Sequence, residues 1–273
     1  MGKRVKRISV LIMVGCFFLS WIEHFVERFL SFSGISTPVW LVVYVTVLLF
    51  TYTIIHAILN LGTRSFFLFL LITIVIAFFI ELLKVKSGFI LYGQLMGPSF
   101  LGIPLLLPLW FFILIYSAYS TTNLILDIPL PSQKVSLIAF LSIFDSVVLT
   151  SWFTMEDAIN VTLGSWRWAR SGDYFGSPII IFPIWVLSAF CVSFFYRLIE
   201  RRFVPSSRLN NKFALARHLP FFSYSWLNLS AMVGTVAVKM SGTMVVGLFT
   251  TLPFMLAGLW RLNNKKFIKE IEK

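Results

Sequence analysis

Charge, histidine and cysteine are all scarce in this chain, and each shortage removes a class of function. Charged residues make up only 12% of the sequence, about half the share of an ordinary soluble domain. Hydrophobic residues make up 58%, and the mean hydropathy is +0.89. That balance excludes a soluble globular protein and implies an integral membrane protein. Three histidines, His24, His56 and His218, are too few for the histidine clusters of a di-iron desaturase or hydroxylase. Cys16 and Cys191 both fall in apolar runs without a CxxC, so no zinc site is expected. Eleven acids, adjacent only at Glu156-Asp157, exclude the Asp-rich magnesium–diphosphate motif of membrane prenyltransferases. A glycine-rich strand–helix turn for a dinucleotide is missing too. The expectation is a protein without metal or cofactor.

What is present is a series of apolar runs of membrane-spanning length, about 20 residues each. They fall near 8–25, 39–59, 66–83, 99–119, 135–153, 178–199, 221–238 and 242–260. The chain therefore reads as an all-α polytopic membrane helix bundle of about eight transmembrane helices (alternatively seven), forming a single integral membrane domain over 1–273. The basic start and first apolar run resemble a signal peptide, but Trp21-Ile22-Glu23-His24 lacks the small residues of a cleavage site. An uncleaved first helix is expected.

The net charge of +12 does not imply nucleic acid, because the basic residues sit at span ends. Eight spans leave 17 Lys and Arg on the side of both termini and 6 on the other. That bias predicts cytoplasmic N- and C-termini in a multi-pass protein of the cell membrane, with anionic lipid headgroups as neighbours.

Two aromatic, Gly/Pro-punctuated interruptions then share the non-cytoplasmic face. One is Gly88 to Pro98, continuing through Gly102, Pro104, Pro108 and Trp110. The other runs from Trp152 through Glu156-Asp157 and Trp166-Arg167-Trp168 to Tyr174-Phe175-Gly176 and Pro178. Irregular backbone beside a membrane core is tolerated where protein covers it or a wet cavity lies beside it, so chemistry is expected here. Glu81 ends the third span, read either as an interfacial acid paired with Lys84 or as an acid aimed into the cavity. Asp157 is expected in the second loop, with Glu156 beside it solvated. Asp145 lies in mid-span, where an ionisable group is costly; it is either functional or tied by an interhelical hydrogen bond. Arg167 and Arg170 flank the tryptophans, placed to snorkel, to stack on the rings or to hold an acid ionised. Asp173 reads as a turn acid.

These segments resemble the carotenoid biosynthesis membrane-protein family whose characterised members are carotenoid 1',2'-hydratases. The first block matches at Glu81, Gly88, Tyr92, Met96-Gly97-Pro98, Gly102-Ile103-Pro104, Leu107-Pro108-Leu109 and Trp110. The second matches at Trp152, Asp157, Trp166-Arg167-Trp168, Tyr174-Phe175-Gly176, Pro178, Phe182 and Trp185. The resemblance covers residues 60–200 and departs at Phe153, Ala158, Ile181 and Ile184. It implies a hydro-lyase adding water to a terminal C=C of an acyclic or monocyclic carotenoid, with Asp157 or Glu81 as the acid and the other orienting water. It also implies substrate-binding aromatics at Tyr92, Trp110, Trp152, Trp166, Trp168, Tyr174 and Trp185, an isoprenoid lipid as partner, and room for association with other carotenoid enzymes. A non-catalytic protein that binds or moves a polyisoprenoid lipid is the alternative; it would keep the aromatics and need no protonated acid.

Overall fold

The computed structural model describes residues 3–33, 38–127, 134–201 and 216–271. The basic, polar connection expected around Pro205 and Asn210 lies outside them. Eight helices follow one another: α1 (Lys3–Phe32), α2 (Val39–Leu61), α3 (Thr63–Lys86), α4 (Leu107–Leu126), α5 (Val135–Leu163), α6 (Ile181–Glu200), α7 (Leu219–Ala237) and α8 (Ser241–Ile271). Seven of them are long and apolar enough to cross a membrane. The exception is α7, which spends apolar positions on Ser223, Ser225, Asn228 and Ser230 and packs against α1, α4, α5 and α8. Inside the bundle such a helix need not match lipid. The architecture is an all-α polytopic bundle.

Local chemistry sets the boundaries. Gly62, at φ 87°, turns α2 directly into α3, a conformation that glycine adopts without a Cβ clash. Pro108 opens α4, where a missing N–H costs nothing. Gly164, left-handed at φ 73°, stops α5.

Two expected spans move. The one placed at 99–119 begins instead at Leu107, because residues 99–104 form a tight hairpin of β2 (Ser99–Phe100) and β3 (Ile103–Pro104). Leu101 and Gly102 both have positive φ, the backbone of a two-residue hairpin turn. The span placed at 135–153 runs on to Leu163. Met155, Ala158 and Ile159 continue its buried face, so the polar Thr154, Glu156 and Asp157 are helical and not loop residues.

α4 is the axis of the bundle. Every residue from Phe111 to Tyr119 is buried, and α4 packs on α2, α3, α5, α7 and α8. The start of α2 and the α3–α4, α5–α6 and α7–α8 connections gather at one end. Gly97 meets Val39 at the start of α2, and Phe175 packs on Gly242 at the start of α8. The two aromatic interruptions are joined there: β1 (Ile90–Tyr92) pairs antiparallel with β4 (Trp166–Trp168), Ile90 opposite Trp168 and Tyr92 opposite Trp166. Gly93 sits so close to the Gly164 carbonyl that a side chain there would collide with it.

Candidate functional site

The last full turn of α3 brings Glu81 and Lys84 to one face, and both are 4% exposed. The Lys84 ammonium is 2.6 Å from Glu81 Oε1. The other carboxylate oxygen accepts a hydrogen bond from the Tyr92 hydroxyl at the end of β1. Strand alternation turns Trp166 and Trp168 inward and Arg167 outward. The Trp166 ring meets Tyr92 edge to face at 6.3 Å, and Trp168 Nε1 donates to Ser177 Oγ over 3.2 Å.

Asp157 enters from α5 and is 0% exposed. Neither carboxylate oxygen has a partner in hydrogen-bonding geometry. Its polar neighbourhood is Ser177, Lys84, Trp166 and Trp168. One turn earlier, the Thr154 carbonyl accepts from the Tyr174 hydroxyl at 2.6 Å. The indole N–H groups of Trp152, Trp166 and Trp185 are buried without a partner, an unusual concentration of unused donors.

The remaining aromatics form a layered wall. Trp110 stacks parallel to Trp152 at 6.3 Å and anchors its ring nitrogen on Thr46 Oγ1 at 2.9 Å. Phe153 stacks on Trp185 at 4.0 Å, and the Lys84 ammonium lies 4.2 Å from the same Trp185 ring. Trp185 is thus held between Phe153 and the Lys84 ammonium.

Electrostatics follow from the enclosure. Burial pushes the Tyr92 phenol well above its ordinary value, with the Glu81 carboxylate and then Asp157 adding to it. Burial, and then the charge of Asp157, push Tyr174 up to about 12. Both hydroxyls remain donors across the physiological range.

All nine catalytic and substrate-binding candidates therefore lie at one end of the bundle. Arg167 and Arg170 are exposed and point away from it. Glu156, expected to be solvated, is instead 2% exposed and accepts from Asn160 Nδ2 at 3.0 Å, because α5 carries it into the bundle. Lys84 was visible in the sequence only as a partner of Glu81; its place over Trp185 depends on α6.

Asp145 belongs to a separate cluster towards the opposite end. Arg197 Nε and Nη2 grip its two oxygens at 2.7 and 2.9 Å, and Ser193 donates to it as well. Arg197 also reaches Asn123 Oδ1 at 3.0 Å and lies 4.3 Å from the Tyr119 ring. Tyr119 and Tyr196 both donate to Glu200 Oε1. Arg197 and Glu200 are not among the candidates read from the sequence; their i,i+3 spacing next to an apolar face was the available signal. The cluster ties α4, α5 and α6 together. Among the described residues no group of three or more His, Cys, Asp or Glu is arranged to hold a metal ion.

Fold and site together define a polytopic helical membrane protein with two buried acids set in an aromatic enclosure. The family of carotenoid biosynthesis proteins matches residues 40–254, from the start of α2 into α8, and the chain belongs to that family. The match extends beyond the 60–200 core expected from the motifs and takes in α7, which packs against α4. No curated protein and no solved structure matches the chain.

Proposed function

We propose that this protein adds water across the terminal C=C, at the 1',2' position, of an acyclic or monocyclic carotenoid by acid catalysis, working as a multi-pass protein of the cell membrane with cytoplasmic termini. The observation that carries the reading is Asp157: a fully buried carboxyl with no hydrogen-bonded partner, inside a wall of tryptophans. An alkene is a very weak base, so its proton must come from a carboxyl that stays neutral until the transfer. Burial is the dominant influence on this carboxyl, outweighing the nearby Ser177, Lys84, Trp166 and Trp168, and burial favours the neutral form that can give a proton. Protonating the inner alkene carbon leaves a tertiary cation, which the faces of Trp166, Trp168 and Tyr92 stabilise. Water held beside it completes the addition. The substrate is taken from surrounding lipid, to which the outer helix faces present residues such as Phe67, Leu71 and Phe79.

The alternative, a protein that only binds or moves a polyisoprenoid, does not call for two acids at one place. Asp157 and Glu81 share the neighbours Lys84 and Tyr92, which favours the enzyme. The test is co-expression in a lycopene-producing bacterium with mass analysis of the pigments. A gain of one water, reduced by about 10²–10⁴-fold in Asp157→Asn, is the expected result. An unchanged pigment despite good membrane expression would overturn the hydratase reading.

A further inference from the structure

The two acids of the site are not equivalent. Glu81 is held on both oxygens, by the Lys84 ammonium at 2.6 Å and by the Tyr92 hydroxyl. Asp157 has Lys84 and Ser177 in its neighbourhood but makes no hydrogen bond through either oxygen. A carboxylate held by a cation and a hydroxyl donor is placed to accept a proton; a buried carboxyl whose oxygens make no hydrogen bond is placed to give one. Tyr92 donates to Glu81, and its ring meets Trp166, which is itself a neighbour of Asp157.

We propose that Glu81, Tyr92 and Lys84 form the water-handling half of the site, with Glu81 as the base, Tyr92 as the proton return and Lys84 as a positioning residue. This rests on the hydration reading above. Asp157 gives its proton to the alkene carbon, forming a C–H bond and a tertiary cation. A water lone pair forms the C–O bond, and the resulting oxonium loses one proton to the Glu81 carboxylate. Asp157 is then ionised and Glu81 neutral. The cycle closes when protonated Glu81 donates to the Tyr92 oxygen while the Tyr92 hydroxyl proton passes to Asp157. The net change is the addition of one water, with no proton gained or lost by the protein. Lys84 touches no reacting atom. Its ammonium, set over Trp185 and 6.0 Å from the Trp168 ring, pairs with Glu81 and holds it aimed at the site.

The division of labour separates two events that a purely structural role would lose together. Asp157 alone is enough to protonate the alkene and to take a proton back from the same carbon. In D₂O this exchanges hydrogen for deuterium in recovered substrate without adding water. The experiment uses membranes carrying the full chain, lycopene as the probe and D₂O buffer, with hydrated product and deuterium in recovered lycopene both read by mass.

Wild type is expected to hydrate. Glu81→Gln and Lys84→Met are expected to lose hydration by about 10²-fold or more yet keep exchanging deuterium into lycopene. Lys84→Arg is expected to recover part of the hydration. Tyr92→Phe is expected to give an initial turnover followed by slow release of further product. Asp157→Asn should lose both hydration and exchange. Loss of exchange in parallel with hydration in Glu81→Gln, in a protein that still melts like wild type, would overturn the assignment. Full hydration in Lys84→Met would also overturn it. A wild type that neither hydrates nor exchanges would instead remove the hydration reading itself.

Discussion

The Lys84 ammonium lies 4.2 Å from the centroid of the Trp185 ring, which Phe153 stacks against at 4.0 Å. The phenyl ring of Phe153 completes a layer that holds Trp185 and, through it, Lys84. Desolvated cation–π contacts are worth about 2 kcal/mol and aromatic pairs about 0.5–1.5 kcal/mol beyond their buried area. Trp185→Leu removes both. Its thermal midpoint in detergent micelles should fall clearly below wild type, with Trp185→Phe intermediate. A Trp185→Leu protein melting like wild type would show that the layer does not hold the helices.

The β1–β4 ribbon depends on a close approach at Gly93, where a Cβ would run into the Gly164 carbonyl. Gly93→Ala should part the strands and separate Tyr92 from Trp166. Hydration is expected to fall at least about tenfold, since small misplacements in a preorganised site are costly. The eight helices should persist by circular dichroism, because the ribbon adds little to the bundle itself.

The Asp145–Arg197 pair is buried between α5 and α6, with side chains 0% and 2% exposed. Removing one partner of such a pair costs about 3–5 kcal/mol because the other charge is stranded. Arg197→Met and Asp145→Leu should each destabilise the protein by that order in detergent unfolding. The double variant should recover part of the loss. Equal or greater loss in the double variant would mean that the pair acts through Asn123 and Tyr119 more than through its charge.

Tyr174 provides a pH test outside the membrane-spanning segments. Its phenol is pushed from the ordinary 10 up to about 12 by burial and then by Asp157. The folded state therefore holds this proton more tightly than the unfolded state does. The stabilisation is complete below about pH 10 and is lost as pH rises towards 12. A tyrosinate absorbance titration, wild type minus Tyr174→Phe, should show one phenol ionising near the top of that window. A difference curve centred at 10 would place Tyr174 in solvent.

Glu81, Asp157 and the tryptophans were legible in the sequence because acids are rare in so apolar a chain and because each sits at a fixed spacing from aromatic and Gly/Pro punctuation. Hydropathy runs also located the eight helices: seven must cover about 30 Å of hydrocarbon with their own apolar side chains, and α7 is apolar enough to be buried among its neighbours. Ends were less legible. Hydropathy cannot separate a loop from a helical turn whose polar residues face protein, and so Thr154 to Asp157 read as a loop while Glu156 read as solvated.

By itself, then, the sequence determined the membrane class, the order of the helices and the two interruptions that meet at one end of the bundle, and it put Asp157 and Glu81 forward as candidate acids. Only the tertiary structure decided what each charged group meets. Lys84 lies over Trp185, Arg197 grips Asp145, and Tyr92 bonds to Glu81 while Asp157 is left without a partner. Those pairings join residues on different helices and strands, and electrostatic partnership in an apolar interior depends on distances of a few ångströms. Hydropathy and spacing along the chain carry no record of such distances.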